Sequence, residues 1–204
     1  MQVEAIIFSI VILVISIVIH EVAHGVMAYW LGDPTAKLAG RLTLNPIPHI
    51  DPIGSIFLPL MLAFASGGSF IVGWAKPVPF NPYNLKAGKW GPAYVAAAGP
   101  ISNLILALIF GTIMRFGLIG GAGLSIVAEI VLINIVLAVF NLVPIPPLDG
   151  SKLLFSALPY RWRAVETFLN QYQLVFLLVF LWAGWRLIFP IVAFLFGLVT
   201  GLPF

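Results

Sequence analysis

His20-Glu21-Val22-Ala23-His24 is the one short run in this chain that pairs metal ligands with an acid–base group. On a helix, residues four apart lie one above the other on the same face. Two imidazoles so placed can bind one zinc ion through ring nitrogens. The adjacent Glu21 can then reach a water as general base. A carboxylate is needed because the water must shed a proton as it adds to a carbonyl. HExxH alone is a weak signal, and its setting strengthens it. The motif lies inside an apolar run, about 11 residues and roughly 16 Å from the end of that run. Ionisable side chains at membrane depth are expensive and point to function. The competing structural reading is polar packing between helices or anchoring at the interface.

A catalytic zinc takes three protein ligands and one open position. With no cysteine in the chain, the third ligand must be His, Asp or Glu. Glu4 and Glu129 fall near the far ends of their helices, Asp33 in a turn, and Glu166 in a polar stretch. Asp149, Asp51 and His49 remain. Asp149 follows Pro144, Pro146 and Pro147, which end one helix and turn the chain. A carboxylate there can meet the histidines, or can cap the next helix. His49 and Asp51 flank prolines and can line a cleft, join the outer shell of a site or form a turn.

The elements that must position these groups are apolar. Of 204 residues, 61% are hydrophobic and 8% charged, and the mean hydropathy is +1.10. Such a chain cannot cover a water-exposed surface, so the bilayer is its expected solvent. Apolar stretches run over 5–31, 53–72, 92–116, 124–143 and 174–198. The first, third and fourth are long enough to cross. The fifth qualifies too, with Pro190 expected to kink or split it. In the second, Ser66-Gly67-Gly68-Ser69 interrupts a run whose clean part is too short to cross comfortably.

The cationic residues favour a re-entrant second stretch. If it returns to the side it left, Lys37, Arg41, Lys76, Lys86, Lys89, Lys152, Arg161 and Arg163 share the cytoplasmic face, and Arg115 lies opposite. If it crosses, the bias disappears. Non-helical backbone at membrane depth needs protein or a wet cavity around it. Residues 41–45 alternate loosely and suggest a short strand, with 71–80 as its partner. The start of the chain lacks the basic flank of a cleaved signal peptide and reads as a retained helix.

HExxH in the first helix, Gly99-Pro100-Ile101-Ser102-Asn103 in the next, and Asn141…Pro144…Pro146-Pro147-Leu148-Asp149-Gly150 in the third resemble the site-2 protease family of intramembrane zinc metalloproteases. The resemblance covers about residues 20–150. The chain looks like a minimal prokaryotic member, without the PDZ or nucleotide-binding domains of some relatives. The resemblance implies one zinc held by His20, His24 and Asp149, with Glu21 as catalytic base. It also implies a site in the membrane near the cytosolic face. Asn103 is then a candidate donor to the substrate carbonyl or developing oxyanion, or makes an interhelical hydrogen bond. Asn134 and Asn141 share a helix face, and Asn141, nearer the turn, is the stronger site candidate. The 53–72 stretch is longer than the re-entrant segment of compact members.

The expected fold is an all-α, polytopic helical bundle: a three-helix catalytic core, a re-entrant segment and a C-terminal helix or hairpin. One domain spans 1–204, with its core over 5–158 and a terminal span over 173–199. The expected activity is metalloendopeptidase cleavage of a transmembrane protein within the bilayer of the cell membrane, with no nucleic-acid partner. The alternatives are a metal-ion transporter or sensor, and an inactive binder of transmembrane helices. Against a transporter stand the Glu between the histidines and the lack of paired inverted repeats.

Overall fold

In the computed structural model, which describes residues 2–65 and 73–204, the regular structure is helical and no strand occurs among the described residues. Helix α1 (Gln2–Trp30) ends at Gly32, whose φ of +104° suits glycine. A short helix α2 (Thr35–Leu38) follows. Then a π-helical turn, Pro52–Phe57, leads into α3 (Leu58–Ala65). Helices α4 (Gly91–Arg115) and α5 (Ala122–Asn141) complete the core. The chain continues through α6 (Asp149–Ala157), α7 (Arg163–Gln171), α8 (Gln173–Val179) and α9 (Trp185–Thr200).

Three helical runs are long and apolar enough to cross a membrane: Ile6–Trp30, Gly88–Arg115 and Gly123–Asn141. The runs Tyr160–Gln171 and Gln173–Gly184 meet at 70°, and count as a fourth span only if taken together. Pro190 does not split the last stretch and sits inside α9. The irregularity falls earlier, in a π-helical turn over Phe180–Gly184. There the Phe180 ring lies back over Gly184, 2.1 Å from where a Cβ would stand.

Helix α4 is central and packs on α1, α5, α6 and α9. Lipid tails are as apolar as Leu, so these helices gain little by hiding apolar surface from lipid and must gain from close packing. The buried face of α4 accordingly carries small residues: Gly91, Ala93, Ala96, Ala98, Gly99, Ala107 and Gly111. Ala107, Met114, Val131, Ile135, Val192 and Phe196 form the main apolar cluster between α4, α5 and α9.

The residues that flank the second apolar stretch meet. The Trp74 amide donates to the Gly54 carbonyl at 3.0 Å, and Ser55 Oγ to Trp74 O at 2.8 Å. Trp74 therefore lies beside the start of the stretch. The Ser66–Ser69 interruption lies outside the described residues. The strand expected over 41–45, with 71–80 as partner, is replaced by side-chain bridges over its described part. His49 Nε2 takes the Thr43 carbonyl at 2.9 Å, and Pro77 and Pro79 have no N–H to give a ladder.

Candidate metal centre

His20 and His24 project from α1 toward α4, one turn apart, with ring centroids 4.6 Å apart. Gly99 makes room for them. A Cβ there would stand 2.5 Å from His20 Nε2 and 2.5 Å from His24 Cε1. Asp149 arrives from the turn between α5 and α6. As the first residue of α6 its side chain makes no cap. Oδ2 instead lies 3.2 Å from His20 Nε2 and 3.1 Å from His24 Nε2. Oδ1 meets Lys152 Nζ at 3.2 Å. Gly150 lets this turn close, since a Cβ would fall 2.2 Å from Leu142 O. All three side chains are buried.

The outer ring nitrogens are occupied. His20 Nδ1 lies 2.6 Å from Asn103 Oδ1, and His24 Nδ1 lies 2.7 Å from Val95 O. Both acceptors require an N–H at Nδ1, which leaves a lone pair on each Nε2 of the neutral rings. Two such nitrogens and a carboxylate oxygen then face one another, an arrangement that calls for a cation among them. Ligands about 2.0–2.1 Å from a tetrahedral zinc are about 3.3 Å apart. The observed separations match, so the residues fit zinc. The donor atoms of His20, Glu21 and His24 also lie within 4.8 Å of one another. However, Glu21 Oε2 accepts the Val78 amide at 2.9 Å, whereas Asp149 Oδ2 faces both Nε2 atoms.

Asn103 is fully buried behind His20, and its amide is already used. It donates to Asn134 Oδ1 at 2.8 Å and to Ser16 O at 3.3 Å. Of the two expectations for Asn103, these bonds are of the interhelical kind. Asn134 in turn donates to Ser16 Oγ at 3.0 Å. Asn134, rather than Asn141, joins the site. Asn141 bonds its own helix at Leu137 O, 2.9 Å away. Ser16 went unnoticed in the sequence, although it lies four residues before His20 and so on the same helix face.

The rival ligands are placed elsewhere. Asp51 caps the Pro52 turn, accepting from Ile53 N at 2.9 Å and Gly54 N at 2.8 Å. His49 is buried against Arg41 and Thr43. A cavity of about 880 Å³ opens next to the cluster rather than around it, and Lys152 is the residue they share.

Residues 119–182 match peptidase family M50. YwhC of Bacillus subtilis (strain 168), named as a zinc metalloprotease, is 38% identical over 185 residues, 85% of this chain and 80% of that one. Rip2 of Mycobacterium tuberculosis (strain H37Rv), named likewise, is 35% identical over 191 residues, 90% of this chain and 71% of that one. MJ0611 of Methanocaldococcus jannaschii, again so named, is 39% identical over 80 residues, 39% of this chain and 41% of that one. No solved structure gives a significant match. With its long apolar helices and its buried His–His–Asp cluster, the chain belongs to peptidase family M50, the site-2 protease family of intramembrane zinc metalloproteases.

Proposed function

We propose that the protein hydrolyses peptide bonds of transmembrane proteins at one zinc held by His20, His24 and Asp149, near the cytoplasmic side of the cell membrane. The observation that carries this reading is the meeting of Asp149 Oδ2 with both Nε2 atoms at 3.1–3.2 Å. When bound, zinc supplies Lewis acidity, polarising the scissile carbonyl and making a water easier to deprotonate. Glu21 takes the proton of the attacking water on a carboxylate oxygen and gives it to the departing amide nitrogen. Asn103 and the Val95 carbonyl hold the two rings in one tautomer and orientation. Lys152, on the outer oxygen of Asp149, holds that carboxylate in its orientation. A substrate helix must unwind before attack, because helical carbonyls are hidden in hydrogen bonds. Gly or Pro near the cleaved bond lowers that cost. The whole of 1–204 serves as one membrane-embedded protease domain.

The test is cleavage of synthetic transmembrane peptides in detergent, with zinc measured on wild type and Glu21→Gln. Wild type is expected to cut. Glu21→Gln is expected to keep its zinc and lose at least about 100-fold in kcat. If both proteins hold zinc, neither cuts any peptide, and metal flux appears in liposomes, the protease reading gives way to transport.

A further inference from the structure

Between the second apolar stretch and α4 the chain crosses the HExxH helix as Pro77-Val78-Pro79. Neither proline has an N–H, so Val78 carries the one amide proton of the three. That proton goes to Glu21 Oε2 at 2.9 Å. The strap sits in a notch left by Gly25, one helical turn beyond Glu21. A Cβ on Gly25 would stand 3.1 Å from Val78 Cγ1 and 2.6 Å from Leu42 Cδ2.

Arg41 holds the strap from the other side. It is 5% exposed, and no carboxylate pairs with it among the described residues. Its Nη2 donates to Lys76 O at 2.6 Å and its Nη1 to Pro77 O at 3.4 Å. Nη2 also lies 3.4 Å from His49 Nδ1. Arg is only a donor, so Nδ1 accepts and His49 donates from Nε2 to Thr43 O. The Lys76 amide donates to His49 O at 2.9 Å. Lys76 is thus gripped at its N–H by His49 and at its carbonyl by Arg41, two residues before the amide that meets the base. Burying a guanidinium without a counter-ion is costly. Here the backbone carbonyls it holds lie next to the residue that fixes Glu21.

We infer that Arg41 is a positioning residue for hydrolysis. By clamping the carbonyls of Lys76 and Pro77 it sets the Val78 amide on Glu21, and so aims the carboxylate that moves the proton. The inference rests on Glu21 being the base.

The experiment uses full-length wild type, Arg41→Ala, Arg41→Lys, Glu21→Gln and the Arg41→Ala/Glu21→Gln double variant, with zinc content, kinetics on synthetic transmembrane peptides, and hydrogen exchange of the 73–80 peptide. Small misplacements of a catalytic group can cost about 100-fold. Arg41→Ala is expected to lower kcat about 10–100-fold, with KM within about 2-fold of wild type and zinc retained. Exchange over 73–80 should rise. Arg41→Lys, which keeps the charge and one carbonyl contact, should recover part of kcat. In the Glu21→Gln background, Arg41→Ala should cost nothing further. Unchanged exchange over 73–80 in Arg41→Ala overturns the clamp, whether or not any peptide is cut. Raised exchange with unchanged kcat, or losses that add fully to those of Glu21→Gln, overturns the positioning role. If wild type holds zinc and cuts nothing, the reading of Glu21 fails and the positioning role falls with it, while exchange still reports on the clamp.

Discussion

The two histidines are supported in unlike ways. His24 Nδ1 bonds a backbone carbonyl, which no substitution of Val95 deletes, whereas His20 Nδ1 bonds the Asn103 side chain. His20 is therefore the ring that mutation can loosen. Asn103→Ala is expected to weaken zinc binding about 10–100-fold while Asp149 and His24 stay in place. Competition with a chelator of known affinity measures this, and unchanged affinity would return Asn103 to a role toward substrate. HExxH pointed to the paired rings and to a candidate base because those are residue types at a fixed spacing. The Val95 carbonyl and the Val78 amide could not be found that way, since every residue carries such groups. Asn141 looked better placed than Asn134 because it is nearer the proline turn. Its amide turns back to its own helix instead, and Asn134 enters the buried network.

At the scale of elements, the spans were legible and the connections were not. Long apolar runs declare α1, α4 and α5 directly. The described parts of the 41–80 region, 41–65 and 73–80, are shaped by tertiary hydrogen bonds, and alternation suggested strands where prolines and the His49–Thr43 bond leave no ladder. Asp33 shows how such a connection is held. Its carboxylate accepts from Thr35 N and Oγ1, Asn84 Nδ2 and Asn81 N, tying the end of α1 to the chain before α4. Burial pushes its pKa up, but these hydrogen bonds outweigh burial and hold it below the usual carboxylate range. A depressed folded pKa means stability that is present above the unfolded value, about 3.9, and is lost as pH falls through the lowered folded value. Asp33→Asn is expected to lower Tm by roughly 2–8 °C at pH 7. The gap to wild type should narrow as pH drops below about 4. Thermal denaturation in detergent across pH 3–7 checks both parts, and a gap independent of pH would remove Asp33 as the source.

At the scale of the whole molecule, the sequence predicts that the charges sort by end. The Lys86 amide bonds Leu31 O, joining the finish of α1 to the approach to α4. At the other end, Arg115 donates to Leu198 O near the close of α9. Eight of the ten cations were assigned from sequence to the first end, which is expected to face the cytoplasm. Because the chain has no cysteine, this can be tested with single introduced cysteines. In sealed right-side-out vesicles, an impermeant maleimide should label Gly117→Cys but spare Lys89→Cys and Arg161→Cys until the membrane is opened; the reverse pattern would invert the topology. The buried hydrogen bonds linking Ser16, Asn103 and Asn134 join α1, α4 and α5 at a single depth. Apolar faces packed in lipid have little to stop them sliding along one another, because each exchanges hydrocarbon for hydrocarbon. A bonded polar layer acts as a transverse pin. Hydrophobic mismatch between the protein and bilayers of different thickness is then taken up by tilting the bundle as a unit. The axial register that brings Asp149 to the two histidines is insulated from the lipid in which the protein sits.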